Sequence, residues 1–192
     1  MRTRTYSLFR RVLPGLAALA IIAGAAAAQA PANEAQVKAA FVFNFLKFIE
    51  WPSEAFAGPQ DSLIIGIVGG GPTADATEAF LARKVVNGRP IGTRRLGADD
   101  TIGALHAVFV GDIDARHAQR VLSAVEMDAI VSIGEESGFA SRGGIIGLVV
   151  EGQKVRFEIN AERADSSRLR ISSKLLALAR VVHGRAKERA DP

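Results

Sequence analysis

There is no cysteine among the 192 residues. Disulfides, thiol nucleophiles and cysteine-ligated zinc are therefore excluded, and the fold must hold by packing and hydrogen bonds. Histidine is nearly as scarce: His106, His117 and His183 are far apart in sequence and show no metal-ligand spacing. No internal repeat, low-complexity tract or long linker interrupts residues 29–192. No pair of carboxylates stands out as a general acid and base. Ser172 and Ser173 beside Lys174 diverge on a helix, because facing pairs are i,i+3 and i,i+4, and they read as caps. The sequence thus offers no catalytic constellation, no metal site and no cofactor site, and reads as that of a non-enzyme.

What is present begins with a leader. Arg2, Arg4, Arg10 and Arg11 precede an apolar stretch over residues 12–25, and A-x-A spacings follow at 26–28 and 28–30. This pattern is a secretory signal peptide over residues 1–28, with export to the periplasm. Cleavage is placed after Ala28, since a cut after Ala30 would set Pro31 at the scissile bond. The apolar stretch falls short of the ~20 residues that cross a bilayer. Loss of the leader removes four of the 24 Lys+Arg and none of the 20 Asp+Glu, leaving a neutral chain. The sequence pI of about 9.8 is therefore partly the leader's, and no nucleic-acid partner is expected. Residues 29–192 are long enough to bury one core and are expected to form one domain, with its body over about 34–183.

The stretch "LIIGIVGGGPTA", residues 63–74, carries the G-x-G-x-x-G/A spacing of a dinucleotide-binding turn at Gly69, Gly71 and Ala74. Its required partner is missing. The next strand, over 91–96, should end in an acid that holds a ribose, yet the first acid after it is Asp99, in a loop. Pro72 also removes one backbone N–H from the turn. A plain strand-to-helix turn is the better reading, and no cofactor is expected.

Elsewhere the periodicities predict a helix over 34–50, strands over 63–68, 91–96, 105–111 and 128–134, and helices over 74–84 and 114–125. "GGIIGLVVEGQKVRFEIN" predicts two strands about the turn at 151–154, the second alternating apolar and polar residues. A last helix is expected over 170–184, with Ile171, Leu175, Leu178, Ala179 and Val182 as its apolar stripe. Together these predict an α/β single-domain sandwich: a mixed sheet of about six strands flanked by helices, closed by a C-terminal β-hairpin and then a helix.

The ordered motifs "KAAFVFNFLKFIEWP", "VNGRPI", "LHAVFVGD", "GFASRGGIIGLVVEGQKVRFEINAERA" and "LRISSKLLALARVV" resemble the YfiR family of periplasmic proteins over about residues 34–183. The resemblance implies a regulator that binds and represses an inner-membrane diguanylate cyclase, or a related sensor kinase, through its periplasmic domain. It also implies an outer-membrane lipoprotein that draws the repressor away, control of cyclic di-GMP and biofilm, and a homodimer. Many relatives carry a cysteine where this chain has Leu105, so redox control through disulfides does not operate here.

Partner-binding residues are expected at Phe43, Trp51, Arg89, Arg142 and Glu158. The first helix concentrates Phe41, Phe43, Phe45, Phe48 and Trp51 in 11 positions, five of the 12 aromatics in the chain. Phe41, Phe45 and Phe48 share a face but Phe43 does not. A helix apolar on more than one side needs cover on more than one side, so the Phe43 face is expected to meet a second subunit or the partner. Two other classes compete: a periplasmic small-ligand receptor with its pocket at the sheet's edge, and a hydrolase built on His106.

Overall fold

The computed structural model describes residues 33–97, 100 and 102–182; the leader read at 1–28 lies outside them. Helix α1 (Glu34–Lys47) opens on a reciprocal cap. The Asn33 side chain accepts from the Gln36 N–H, and Gln36 accepts from the Asn33 N–H. The helix stops short of the expected 34–50, because strand β1 (Ile49–Glu50) turns extended. There follow β2 (Leu63–Val68), α2 (Pro72–Leu81), β3 (Val85–Val86), β4 (Arg89–Leu96), β5 (Ala107–Val110) and α3 (Ala115–Ala124). Then come β6 (Val131–Gly134), β7 (Ile146–Glu151), β8 (Lys154–Asn160), α4 (Ala161–Ser166), β9 (Arg170–Ile171), α5 (Ser173–Leu176) and β10 (Arg180–Val182).

The main sheet runs β10-β8-β7-β6-β5-β2-β4-β3. Strands β4, β2, β5, β6 and β7 are parallel, and β7–β8 and β3–β4 are antiparallel. The mixed α/β sheet is as expected, with eight strands among the described residues instead of about six. The two additions, β3 and β10, are short edge strands, and β1 pairs with β9 in a separate antiparallel ribbon.

Alternate residues of the central strands feed two cores. Leu63, Ile65, Ile67, Ala107 and Phe109 pack with Val42, Phe45 and Leu46 of α1 and with Ala74 and Leu81 of α2. Val68, Val108 and Val110 pack with Ala118, Val121 and Leu122 of α3. Continuous apolar runs in β2 and β5 follow from this, since both faces of a parallel strand are covered.

The expected last helix is the one element the structure replaces. Residue 171 belongs to β9 and pairs with Ile49. Ser172 caps a single turn, α5, by accepting from the Leu175 N–H. Arg180–Val182 then runs parallel to β8 as β10. Leu178, placed on the apolar stripe, is 75% exposed. The reason is physical: the β-branched Val181 and Val182 suit a pleated strand, and the edge of β8 offers unpaired backbone groups that a helix would leave open. Between β8 and β9 lies the unanticipated helix α4. Its Arg163 donates to the carbonyls of Val125, Glu126 and Gly143 and to Ser167 Oγ, tying α4 to the C-terminal end of α3.

Candidate functional site

The five residues singled out from the sequence fall in four places. Phe43 lies half-buried on α1, its ring 5.9 Å from Phe80 of α2. Part of the second face of α1 is thus covered within the chain. Lys47 and Lys84 set their ammonium groups over these rings, Lys47 at 5.4 Å from Phe43 and Lys84 at 5.1 Å from Phe80.

Trp51 and Arg89 come together around a residue the sequence reading passed over, Phe56. The Arg89 guanidinium sits 3.7 Å from the Phe56 ring centroid, and that ring stacks on His106 at 4.3 Å. Trp51 meets Phe56 edge-on, and its Nε1–H donates to the His106 carbonyl. Arg89 also donates to the carbonyls of Gly58 and Asp61. These contacts fasten the segment over 51–61 to the amino ends of β2 and β5. His106 is buried, and both ring nitrogens are committed. Nδ1 accepts the Ile64 N–H at 3.0 Å, so the proton belongs on Nε2, which donates to the Ala55 carbonyl at 3.0 Å. Burial pushes the His106 pKa below its ordinary value, and Arg89 adds to this against the pull of the Ala55 bond. A ring so engaged is a structural clamp rather than a free general base.

Arg142 is exposed, paired with Glu136 at 2.9 Å and donating to the Ser137 carbonyl. Glu158 is buried on β8; one oxygen pairs with Arg180 of β10 and Oε2 has no partner among the described residues. The exposed member of that pair is Arg180, at 61%.

The glycine turn is a close approach of two chains. Gly69 and Gly71 have φ of +82° and +96°, and a Cβ on Gly69 would lie 2.4 Å from Ile113 Cγ2. The N-terminus of α2 already faces carboxylates: Thr73 donates to Glu135 at 2.8 Å, and Asp112 flanks Gly71. A phosphate there would meet two negative charges. The same turn borders an open cleft of about 630 Å³, whose walls include Lys38, Thr73, Asp112 and Glu135. Lys38 is 7% exposed and reaches Glu34 at 2.7 Å and Glu135 at 2.8 Å. Burial opposes its charge, but the hydrogen bonds to Glu135 and Glu34 outweigh it and hold its pKa above the ordinary value.

The motifs around these residues are matched as a set by the model of a protein family described as YfiR/HmsC-like, over residues 35–180. The chain belongs to the YfiR/HmsC-like family. At the family level this places it among periplasmic regulatory domains of cyclic di-GMP signalling. The YfiR/HmsC-like fold is also similar to a solved structure from Streptococcus pneumonia, the ABC domain in complex with L-Trp, at a TM-score of 0.51 and 12% identity. That match covers 77% of this chain and 60% of the other, so this chain spans about three fifths of that protein's length, and the likeness is one of fold.

Sequence reading missed Phe56, the meeting of Phe80 and Lys84 with Phe43, and the Lys38–Glu135 pair. Lys38 and Glu135 are 97 positions apart, and no local spacing signals such a pair. Phe56 had a signal: an aromatic between Trp51-Pro52, where the apolar helix pattern ends, and Gly58-Pro59.

Proposed function

We propose that this YfiR/HmsC-like protein is exported and binds the periplasmic domain of an inner-membrane diguanylate cyclase, or of a related sensor kinase, holding it inactive. The observation that carries the reading is the family match over residues 35–180; the leader-like pattern at 1–28 supports it. An outer-membrane lipoprotein competes for the repressor and so raises cyclic di-GMP, and a homodimer is the working form. Phe43, Trp51, Arg89, Arg142 and Glu158 are its contact residues, Glu158 acting through the exposed Arg180. A repressor must favour one state of its target. Shifting that target from almost wholly active to almost wholly inactive takes roughly 5.5 kcal/mol of differential affinity. An interface of ~1,600 Å² is of the size that specific complexes use. The test is deletion of the gene, with cellular cyclic di-GMP measured. The level rises, and only chain exported to the periplasm restores it; an unchanged level with the cyclase expressed removes this reading.

One observation favours a second reading, the small-ligand receptor. The cleft lies at the carboxyl ends of β2, β5 and β6, where the connections from β2 and β5 leave in opposite directions along the sheet. Open α/β sheets bind ligands at such a point. The structurally similar protein is described in complex with L-Trp, so L-Trp is the first compound to titrate by calorimetry. Heat of binding that disappears in Lys38→Met supports the receptor; no heat with a panel of amino acids and other small metabolites counts against it.

A further inference from the structure

The face shared by α1 and α2 carries chemistry that packing leaves unused. Val37, Ala40, Phe41 and Phe80, with Gln36 and Asn44, line an open groove of about 490 Å³ between the two helices. At the end where Phe43 meets Phe80 stand Lys47 and Lys84, with Arg83 next to Lys84 in the chain, all exposed. None of the three has a carboxylate within 4.0 Å among the described residues. Both helices end here, and a helix C-terminus attracts cations on its own account. That attraction does not exhaust the charge. Two helix ends carry about half a negative charge each, against three cations.

We propose that this groove is the docking site of an acidic amphipathic helix of the protein's partner. Apolar side chains on one face of that helix enter between α1 and α2 onto Phe41, Phe43 and Phe80. Its carboxylates meet Lys47, Lys84 and Arg83 and displace the lysines from the rings they now cover. A second copy of this chain does not supply the complement through the same face. The acids of α1 and α2 are Glu34, Asp75 and Glu78, and they are already spent: Glu34 on Lys38, Asp75 and Glu78 on Arg95. The inference rests on the regulatory reading for the partner's identity alone; the charge and the rings belong to the groove.

The probe is a labelled ~18-residue helix, about five turns, with Leu and Phe on one face and Glu on the other, titrated against the chain purified from the periplasm. The control replaces every Glu by Lys. At low salt the glutamate helix binds more tightly by at least about tenfold, and the preference vanishes in Lys47→Glu/Lys84→Glu. Should that double variant fail to fold, Lys47→Gln/Lys84→Gln gives the same comparison. Equal binding of the two helices, binding of neither, or a preference that survives both variants overturns the proposal. So does a homodimer that the lysine variants dissolve, because the groove would then belong to a second copy. Helix binding with unchanged cyclic di-GMP on deletion keeps the groove and removes the regulatory reading; a rise in cyclic di-GMP without helix binding does the reverse.

Discussion

Lys38 and His106 are two buried titratable side chains that the fold treats in opposite ways. Lys38 lies at the carboxyl ends of the central strands and is held charged, gripped by Glu34 and Glu135. His106 lies at their amino ends and is held neutral, one ring nitrogen receiving a backbone N–H and the other donating to a carbonyl. Each solves the same problem, a polar group taken from water, which costs little only when every hydrogen-bonding position is filled. The difference lies in what surrounds each. Beside Lys38 is an open, acid-lined cleft; around His106 are two aromatic rings and a guanidinium stacked on one of them. The charged end is built like a site, and the neutral end like a fastening.

The largest test of that contrast removes Lys38. In Lys38→Met, Glu135 keeps only the Thr73 hydroxyl among the described residues, and the loss is about 2–3 kcal/mol, below the range for fully buried pairs because Glu135 is 20% exposed. Removing the second charge as well, in Lys38→Met/Glu135→Leu, should recover much of the loss, and chemical denaturation of the three proteins measures it. If the single variant is as stable as the parent, the pair is not a clamp.

Next in size is His106→Ala, at about 2 kcal/mol, since it strands the Ile64 N–H and removes the Phe56 stack. Limited proteolysis should then cut within 51–61 before it cuts elsewhere. Cleavage spread evenly along the chain would deny this segment its fastening.

A smaller effect separates the two groups by pH. The folded pKa of His106 lies below its ordinary 6.5, so the unfolded chain takes up the proton first. The stability due to His106 is full above pH 6.5 and declines as the pH falls below it. Lys38 is the reverse: its folded pKa lies above 10.5, so its contribution is full below that pH and declines as the pH rises past it. Melting curves between pH 7.5 and 5 should show an acid loss in the parent that is absent from His106→Gln. An equal slope in both would assign the acid loss to carboxylates.

Smallest is Arg142→Glu, which contacts neither Lys38 nor His106. Its pair with Glu136 is exposed on both sides, and such a pair is worth about 0–1 kcal/mol. Under the regulatory reading the charge reversal changes the association rate with the partner and its salt dependence, with melting unchanged. A large drop in melting temperature would give Arg142 a structural role instead.

The central sheet was legible from the sequence because β2, β5 and β6 are apolar runs of strand length between turn residues, a pattern set locally. The C-terminal segment was not. Its apolar residues fit a period of 3.6 nearly as well as 2, and what decides between them is the open edge of β8, some twenty positions earlier in the chain. The strands β1 and β9 are two residues each and exist only because they pair with each other. Among the candidate contacts, Trp51 and Arg89 have visible employment inside the chain, as parts of the clamp on 51–61. Arg142 and Phe43 keep exposed surface. A single sequence cannot separate these cases, since a tryptophan or an arginine beside a turn looks the same whether it faces a carbonyl of its own chain or another protein. Lys47 was visible on the first helix, but its neighbourhood with Lys84 depends on α1 lying against α2.

Arg163 bears on time as well as on stability. Its guanidinium joins α4 to carbonyls at 125 and 126, nearly forty positions back, and to Gly143. Those bonds bridge segments on either side of β6, β7 and β8, so they are expected to close late on the folding path. Interactions absent from the folding transition state leave the folding rate almost untouched and set how fast the native chain opens. Arg163 is therefore a latch on lifetime. For a protein whose proposed post is a compartment shared with proteases, the half-life of the closed form decides how long each exported copy remains in service.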